Sequence, residues 1–378
     1  MRETAYDYLI VGAGLFGCVF AHEMNKLGKR CLIVEKREHP GGNIYCENMD
    51  GINVHMHGAH IFHTNDRKIW DYVNQFVEFN NYTHTVLACY KNELYNLPFN
   101  MNTFYQLWKV QTPEAALNKI QLQREQLNIA TPRNLEEQAL SLVGPDIYEK
   151  LIKGYTEKQW GRKAAELPAF IIKRLPLRFT FNNNYFDDAF QGIPKSGYNK
   201  LIDALTADTE VRLKTDYFKH RYELDQLAEN IVFTGPVDEF YGFSQGRLEY
   251  RSLSFEHKLH MCANYQGAAV VNYTAADIPY TRIIEHKHFE NGRQPFTVVT
   301  HEFPKEWKTG DEQYYPINDE RNRKIYNEYK KMAARESNIF FGGRLAEYRY
   351  YDMDQVIASA LTRVKQLSSK PLSTVVDI

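Results

Sequence analysis

The pattern of hydrophobic and polar positions at the start of the chain predicts a strand, a glycine turn and a helix. Residues 8–11 form an apolar run with β-branched side chains, and the sequence GAGLFG follows at 12–17. Residues 18–27 carry the apolar spacing of a helix, which Gly28 is placed to end. A second apolar run at 30–34 predicts the next strand. This opening segment is therefore typical of the first βαβ unit of a Rossmann-like sheet.

The rest of the pattern divides the chain into further predicted parts. Residues 102–173 are typical of helices, with Pro113 and Asn134 at favourable helix starts. Elsewhere, short alternating or aromatic runs separated by Gly, Asn and Pro predict an antiparallel sheet. We expect an α/β protein of mixed α+β type, in which a discontinuous nucleotide-binding domain carries an inserted helical bundle and a sheet that lines the substrate site. The expected boundaries are 1–78, 193–233 and 318–378 for the nucleotide-binding domain, 102–173 for the bundle, and 79–101, 180–192 and 241–304 for the sheet.

The composition is that of an ordinary globular protein and argues against several classes of function. The 46 Lys and Arg residues nearly balance the 47 Asp and Glu residues, so no global field attracts nucleic acid or an anionic membrane. The five cysteines are scattered without CxxC spacing, which argues against a disulfide framework and a thiolate metal site. Glycines interrupt the apolar stretch near the start, so it predicts neither a signal peptide nor a membrane helix. We expect a soluble, cytoplasmic protein without a nucleic-acid partner.

The glycine turn has the chemistry of a dinucleotide site. Gly12, Gly14 and Gly17 would let a pyrophosphate approach the backbone at the N-terminus of the helix, where the helix dipole favours negative charge. Glu35 follows the second strand, close to the roughly 20-residue spacing at which a carboxylate binds the adenosine ribose hydroxyls. A purely structural glycine turn is the alternative. The two strands, the helix and the acid together favour dinucleotide binding.

Two further glycine pairs favour FAD as the dinucleotide. The sequence GGN at 41–43 follows Glu35, and a pair in this place resembles the second phosphate-contacting segment of FAD enzymes in the glutathione-reductase and amine-oxidase lineages. Near the end of the chain, a predicted strand at 338–341 runs into the second glycine pair, and a helix follows from Met353. Such a return segment commonly closes on the flavin in those enzymes. A plain final βα unit is the alternative.

Four histidines within nine residues suggest a metal site at first sight. His55, His57, His60 and His63 are residues that bind zinc and iron well. However, the run contains no carboxylate or cysteine, and its spacing on a glycine-containing segment defines no coordination geometry. We therefore expect no metal, a structural role for most of these histidines, and one or two of them at the flavin.

Longer motifs resemble a single family along the whole chain. The strings GAHIFHT, GYTEKQWG, NYFDDAFQGIPKSGY, VNYTAADIPYTRIIEHKHF and GRLAEYRYYDMD are similar to those of the bacterial UDP-galactopyranose mutases and occur in the expected order. That family converts UDP-galactopyranose reversibly into UDP-galactofuranose, a precursor of cell-surface glycans. The resemblance implies FAD in its reduced form, whose N5 atom acts as the nucleophile on the anomeric carbon with no net redox change.

The resemblance also implies roles for individual residues. Arg174 and Arg282 would hold the leaving diphosphate, because guanidinium groups bind phosphate oxygens bidentately. Residues 167–177 would form a mobile lid, and His60 and His63 would complete the catalytic set at the flavin. The implied substrate-binding residues are Tyr155, Trp160, Arg174, Tyr185, Phe186 (against the uracil), Asn272, Arg282, Tyr315, Tyr350 and Asp352. The implied cofactor-binding residues are Gly12, Gly14, Phe16, Gly17, Glu35, Gly42, Asn43, His60, Ile61, Arg344, Tyr350, Asp352 and Met353.

Two positions depart from the family pattern, and two other functions stay open. His84 stands where relatives carry Asn near the sugar, and Leu151 stands where some carry Phe beside the uracil. One alternative is an FAD-dependent oxidoreductase of the amine-oxidase type, and the other is a nucleotide-binding protein without turnover. The resemblance further implies UDP-galactose as the small-molecule substrate, a homodimer and an unidentified reductant.

Overall fold

The computed structural model describes residues 4–172 and 176–369. Its strands are β1 (Tyr6–Val11), β2 (Cys31–Val34), β3 (Cys46–Met49), β4 (Ile52–His55), β5 (Phe62–Thr64), β6 (Val86–Tyr90), β7 (Glu93–Leu97), β8 (Phe190–Gly192), β9 (Glu210–Arg212), β10 (Ala228–Phe233), β11 (Tyr250–His260), β12 (Val270–Tyr273), β13 (Arg282–Glu285), β14 (Thr297–Glu306), β15 (Tyr315–Pro316) and β16 (Ile339–Phe341).

Helices connect and cover these strands. They are α1 (Leu15–Lys26), α2 (Arg67–Val73), α3 (Met101–Trp108), α4 (Pro113–Leu127), α5 (Leu135–Val143), α6 (Pro145–Ile147), α7 (Gly154–Trp160), α8 (Tyr198–Leu205), α9 (Arg221–Leu224), α10 (Val237–Phe240), α11 (Glu320–Ala333) and α12 (Met353–Ser368). A π-helical stretch, Tyr148–Lys153, joins α6 to α7. Within the described ranges, every helix is too short or too polar to cross a membrane.

A parallel sheet of five strands forms the nucleotide-binding part, in the order β16-β10-β1-β2-β9. Alternate residues of its strands enter two cores: Ile10 and Ile33 lie in the core with α1, α8 and α12, and Leu9 lies in the core with α11. Covering both faces with helices is what βαβ connections produce. The predicted Rossmann-like unit is confirmed. Helix α1 begins earlier than predicted, at Leu15, because the last residues of the glycine turn are already helical.

The second sheet has seven strands in the order β15-β11-β14-β13-β12-β6-β7. Its neighbours are antiparallel, as predicted, except that β6 and β12 run parallel in the register Val86 to Val270. The two strands of this pair are separated by the whole helical bundle, so the chain can return in the same direction. The sheet also passes the predicted limit at residue 304, since β14 and β15 end later. The range 180–192 was predicted to belong to this sheet, but it contributes β8, which pairs with β5 in a separate two-stranded sheet.

The helices α3 to α7 pack around a common core of the bundle. Pro113 opens α4 next to the Thr112 cap, whose hydroxyl accepts the N–H of Ala115, and the side chain of Asn134 caps α5. Both predicted helix starts are confirmed. Helix α7 ends at Gly161, which has the left-handed conformation (φ +66°) that glycine favours. Helix α7 lies on the side of the bundle that contacts β14 of the second sheet.

Candidate active site

The glycine turn after β1 leaves space open at the N-terminus of α1. A Cβ built on Gly14 meets no described atom within 4 Å, whereas one built on Gly17 would lie 2.2 Å from the carbonyl oxygen of Gly12. Gly12 itself has φ +108°, and a Cβ there would lie 2.2 Å from Oγ1 of Thr234. Gly12 and Gly17 therefore serve the fold of the turn, and Gly14 keeps the approach to the backbone N–H groups free for a phosphate.

Glu35 closes this turn from the end of β2. The buried carboxylate accepts the N–H of Ala13 with Oε2 at 2.8 Å and the N–H of Arg37 with Oε1 at 2.9 Å. Each carboxylate oxygen has a second lone pair, so the hydroxyls of a ribose can still donate to it. The predicted ribose-binding acid thus lies next to the glycine turn.

The second glycine segment packs directly on the first. The N–H of Gly41 donates to the carbonyl oxygen of Ala13 at 2.7 Å, and a Cβ on Gly42 would lie 3.2 Å from Cα of Gly14. Beside it, Nη2 of Arg37 donates to Oδ1 of Asn43 at 3.3 Å, while Nη1 is buried with no hydrogen-bond partner in the described chain. The same Nη2 pairs with Oε2 of Glu312 at 2.8 Å, so the guanidinium is held in place while its Nη1 remains able to donate to an acceptor such as a phosphate oxygen. Sequence reasoning missed Arg37.

A cavity of about 1270 Å³ has walls from the second sheet, the bundle and the chain around β16 and α12. Of the predicted site residues, the wall contains His60, Ile61, His63, Trp160, Tyr185, Phe186, Asn272, Arg282, Tyr315, Arg344, Tyr350, Asp352 and Met353. Residues from the described part of the predicted lid, including Leu167 and Phe170, also line it. Arg174 lies outside the described residues, so its role stays a prediction.

Arg282 is the central cation of this cavity. It lies on β13 opposite Asn272 of β12 and Glu302 of β14, so the three polar residues form a row across the sheet. Its Nε atom lies 3.2 Å from Oε1 of Glu302, and its Nη2 donates to the hydroxyl of Tyr155 at 2.9 Å. Burial alone would lower the pKa of Arg282, but the carboxylate of Glu302 raises it well above its usual value. The guanidinium is therefore always charged, and a quarter of its side chain remains exposed.

Phenol groups surround this cation. The rings of Tyr315 and Tyr350 stack with 5.8 Å between centroids, and the guanidinium of Arg344 lies 5.1 Å over the ring of Tyr350. Burial raises the pKa of Tyr155, Tyr315 and Tyr350, so all three stay neutral hydrogen-bond donors. Asp352, the N-cap residue of α12, lies in the same wall. A charged guanidinium among neutral phenols suits a diphosphate.

Of the four histidines in the HMHGAHIFH run, His57, His60 and His63 line the cavity, and His55 is buried and accepts the N–H of His60. Burial lowers the pKa of His55 and His60 to about 3 and that of His57 to about 4, so all are neutral at pH 7. The Nε2 atoms of His57 and His60 are buried without a hydrogen-bond partner in the described chain, although both residues line the cavity. Polar atoms in this state are expected where a bound group supplies the partner. Residues 4–172 and 176–369 contain no cluster of three or more potential metal ligands.

Phe186 lies among imidazole rings. His63 stacks on it with 3.7 Å between centroids, and His84 lies 5.5 Å away at an interplanar angle of 27°. His63 covers one face of the Phe186 ring, so only the other face or the edge of that ring is open to a uracil. The departure at His84 is thus part of the wall, whereas Leu151 lies in the core of the bundle.

Comparison with known sequences identifies the family of this chain. The profile of the UDP-galactopyranose mutase family matches residues 150–350, and that of NAD(P)-binding Rossmann-like domains matches residues 10–76. A probable UDP-galactopyranose mutase of Klebsiella pneumoniae is 40% identical over 370 residues, which are 96% of this chain and 95% of that protein. The chain belongs to the UDP-galactopyranose mutase family.

Two other matches qualify what membership in the UDP-galactopyranose mutase family implies. A dTDP-fucopyranose mutase of Escherichia coli is 37% identical over 361 residues, which are 93% of this chain and 96% of that protein. A crystal structure of a reduced UDP-galactopyranose mutase superposes with a TM-score of 0.74 at 14% identity, covering 97% of this chain and 94% of that one. The structure shows the shared fold. The two sequence relatives differ in the nucleotide sugar that their names carry.

Sequence analysis gave no role to three residues that hold the site together. A Cβ on Gly154 would lie 2.4 Å from the carbonyl oxygen of Thr274, so only glycine lets α7 approach the β12–β13 connection. Nζ of Lys158 donates to three carbonyl oxygens around that connection, at 2.7, 2.9 and 3.0 Å. These contacts bring Tyr155 on α7 to Arg282. Glu302 is the third, and an isolated Glu on a predicted strand carries no sequence signal.

We predict that replacing His84 by Asn makes the protein less sensitive to mild acid. Burial first, and Arg282 second, lower the pKa of His84 to about 3, whereas an unfolded histidine titrates near pH 6.5. As the pH falls below 6.5, protonation then favours the unfolded state by at most about 1.4 kcal/mol per pH unit for each such residue. The drop in Tm between pH 7 and pH 5 should therefore be smaller in His84→Asn than in the wild type.

The exposed His220 provides the control for this measurement, since its side chain is 53% accessible. His220→Asn should show the wild-type drop in Tm. An equal drop in all three proteins would contradict the assignment of acid sensitivity to the buried imidazole.

Proposed function

We propose that the chain is an isomerase that interconverts UDP-galactopyranose and UDP-galactofuranose. The observation that carries the proposal is the charged guanidinium of Arg282, which Glu302 and Tyr155 hold in the wall of a large cavity. A leaving diphosphate needs a local cation in a protein whose net charge is −1. Membership in the UDP-galactopyranose mutase family supports the same reaction.

FAD is the cofactor that fits the dinucleotide site. Gly14 leaves the phosphate approach open, Glu35 offers acceptors to a ribose, and Arg37 offers an unpartnered N–H to a phosphate. The buried Nε2 atoms of His57 and His60 offer further polar contacts at the cavity. When bound in its reduced form, FAD supplies a nucleophilic nitrogen, N5, for the anomeric carbon without net redox change.

The residues of the chain bind and orient the substrate. Arg282 and Tyr155 stabilise charge on the departing diphosphate, and Arg174 is expected to add a second guanidinium. Tyr315 and Tyr350 add neutral donors close to this cage. The remaining expected contacts, to the sugar and the nucleoside, come from Trp160, Tyr185, Phe186, Asn272 and Asp352. Phe170 and its neighbours line the cavity, and closure of this segment over a bound substrate would exclude water.

The test compares reduced and oxidised enzyme. Purified protein is reduced with dithionite under nitrogen and mixed with UDP-galactofuranose, and the nucleotide sugars are separated by chromatography. We expect UDP-galactopyranose in the reduced sample alone. Turnover in the oxidised control would contradict the role given to reduced FAD.

A parallel sample with dTDP-fucopyranose tests the sugar nucleotide, because a mutase named for that compound is 37% identical to this chain. Conversion of dTDP-fucopyranose alone would retain mutase chemistry and replace the substrate. Oxygen consumption with an amine, without isomerisation, would support the oxidoreductase alternative. UDP binding without any turnover would support a binding protein.

The cellular setting follows from the same reaction. A cytoplasmic enzyme would meet the nucleotide sugar where it is made, and its product would serve the assembly of galactofuranose-containing surface glycans. An external reductant must keep FAD reduced. A homodimer completes the proposal, and size-exclusion chromatography with light scattering tests it.

A further inference from the structure

A carboxylate and an imidazole form a pair at the edge of the cavity. Nδ1 of His63 lies 2.6 Å from Oδ2 of Asp188. His63 belongs to the cavity wall, whereas Asp188 is not among the described wall residues. Only 15% of the His63 side chain and 22% of the Asp188 side chain are exposed, which limits competition from water. The pair therefore fixes the Nδ1 edge of the imidazole to the protein.

The surrounding chain holds both partners in place. His63 lies on β5, which pairs with β8 just after Asp188. Asn65 joins the two segments, because its side-chain amide donates to Oδ1 of Asp188 and its Oδ1 accepts the N–H of Ala189 at 2.9 Å. Phe186 stacks on the imidazole with an interplanar angle of 13°. The plane of the ring and the partner of Nδ1 are thus both defined.

This geometry selects one form of the neutral ring. A carboxylate only accepts hydrogen bonds, so a neutral His63 must carry its proton on Nδ1 in order to donate to Asp188. Nε2 then bears a lone pair, and no described residue donates a hydrogen bond to it. The groups around Arg282 that would hold a diphosphate are mainly donors, whereas the hydroxyls of a sugar also require acceptors.

We infer that Asp188 is a positioning residue that fixes the Nδ1–H tautomer of His63, so that Nε2 accepts a hydrogen bond from a sugar hydroxyl of the bound substrate. The identification of a sugar hydroxyl as the donor to Nε2 rests on the proposed function. The tautomer in the ligand-free protein does not depend on it. Asp188 acts through His63 and touches no substrate.

The first test observes the tautomer by nitrogen NMR of protein labelled with ¹⁵N in its histidine rings, at pH 8 without ligand. The signals of His63 are assigned by their loss in His63→Gln. We expect a protonated Nδ1 and an unprotonated Nε2 in the wild type, and a mixed or reversed tautomer in Asp188→Asn. A proton on Nε2 in the wild type, or an unchanged tautomer in Asp188→Asn, overturns the inference.

Asp187→Asn is the matched control, since it removes the same charge one residue away. Asp187 is 75% exposed and pairs with Arg178 at 2.7 Å. We expect the wild-type tautomer of His63 in this variant. A change as large as that in Asp188→Asn would show a general charge effect and overturn the positioning role.

The second test identifies the group that donates to Nε2. Loss of one fixed hydrogen bond should lower kcat/KM for the nucleotide sugar about tenfold in Asp188→Asn. The Kd of UDP, which lacks the sugar, should be unchanged, and Asp187→Asn should match the wild type in both. An equal loss of UDP affinity would overturn the sugar contact. If no nucleotide sugar is turned over by the wild type, the proposed function fails while the tautomer measurement still decides the role of Asp188.

Discussion

Replacing Arg282 by alanine is expected to lower kcat by about a hundredfold to a thousandfold while the cofactor stays bound. Arg282 is the guanidinium in the cavity wall that a buried carboxylate and a phenol both hold in place. The proposed function gives it the role of stabilising charge on the departing diphosphate. Arg282→Lys should recover little, because an ammonium cannot satisfy Glu302 and Tyr155 in the same fork geometry. Steady-state kinetics on reduced enzyme and the flavin absorbance of the purified variants provide the measurements.

A loss of folding must be separated from this loss of catalysis. Arg282→Ala leaves the buried Glu302 without its partner, and breaking a buried ion pair in this way typically destabilises a protein by about 3–5 kcal/mol. The double variant Arg282→Ala/Glu302→Gln should therefore recover Tm but not turnover. Arg133→Ala removes an ion-paired arginine whose side chain is 83% exposed, and it should behave as the wild type. Near-normal turnover of Arg282→Ala would contradict the proposed diphosphate site.

Alanine substitutions at two glycines of the same turn are expected to affect different properties, stability in one variant and cofactor affinity in the other. In Gly17→Ala the new Cβ would lie 2.2 Å from a backbone oxygen, so we expect a loss of about 3 kcal/mol in the free energy of unfolding. In Gly14→Ala the new methyl group meets no described atom, so stability should change little. It would instead occupy the phosphate approach, and the affinity for FAD should fall at least about tenfold.

Both glycine variants are compared with the wild type as apoproteins and after addition of FAD. Tm of the apoprotein reports on the turn, and titration of the apoprotein with FAD, followed by flavin fluorescence, reports on the site. Normal cofactor affinity in Gly14→Ala would contradict the assignment of the open space to a phosphate. A wild-type Tm in Gly17→Ala would contradict the close approach within the turn.

The features that sequence reasoning predicted correctly depend on neighbouring residues. The glycine turn, its two strands and its helix lie within about 30 residues, and their spacing follows from helix and strand periodicity. The same holds for the helix starts at Pro113 and Asn134, where the cap hydrogen bonds span three residues. The distant motifs identified the family, and the profile match confirms it.

The features that sequence reasoning missed depend on contacts between distant segments. The parallel pairing of β6 with β12, the ion pair of Arg282 with Glu302 and the cation at Arg37 have no local pattern. Lys158 and Gly154 likewise gain their roles only from the loop on which α7 packs. The motif that contains Asp188 was recognised, but its pairing with His63 was not.

Short-range patterns in the sequence predict the Rossmann-like unit, the bundle and the second sheet, because backbone hydrogen bonding and hydrophobic periodicity operate over short stretches of chain. The family follows from the order of distinctive motifs along the chain. Which side chains meet depends on the folded chain: Tyr155 reaches Arg282 across 127 positions, and His63 reaches Asp188 across 125. Such pairs form when packed elements bring two segments within hydrogen-bonding distance. Their charges, tautomers and open edges are therefore properties of the folded cavity, since no single segment of the chain contains both partners.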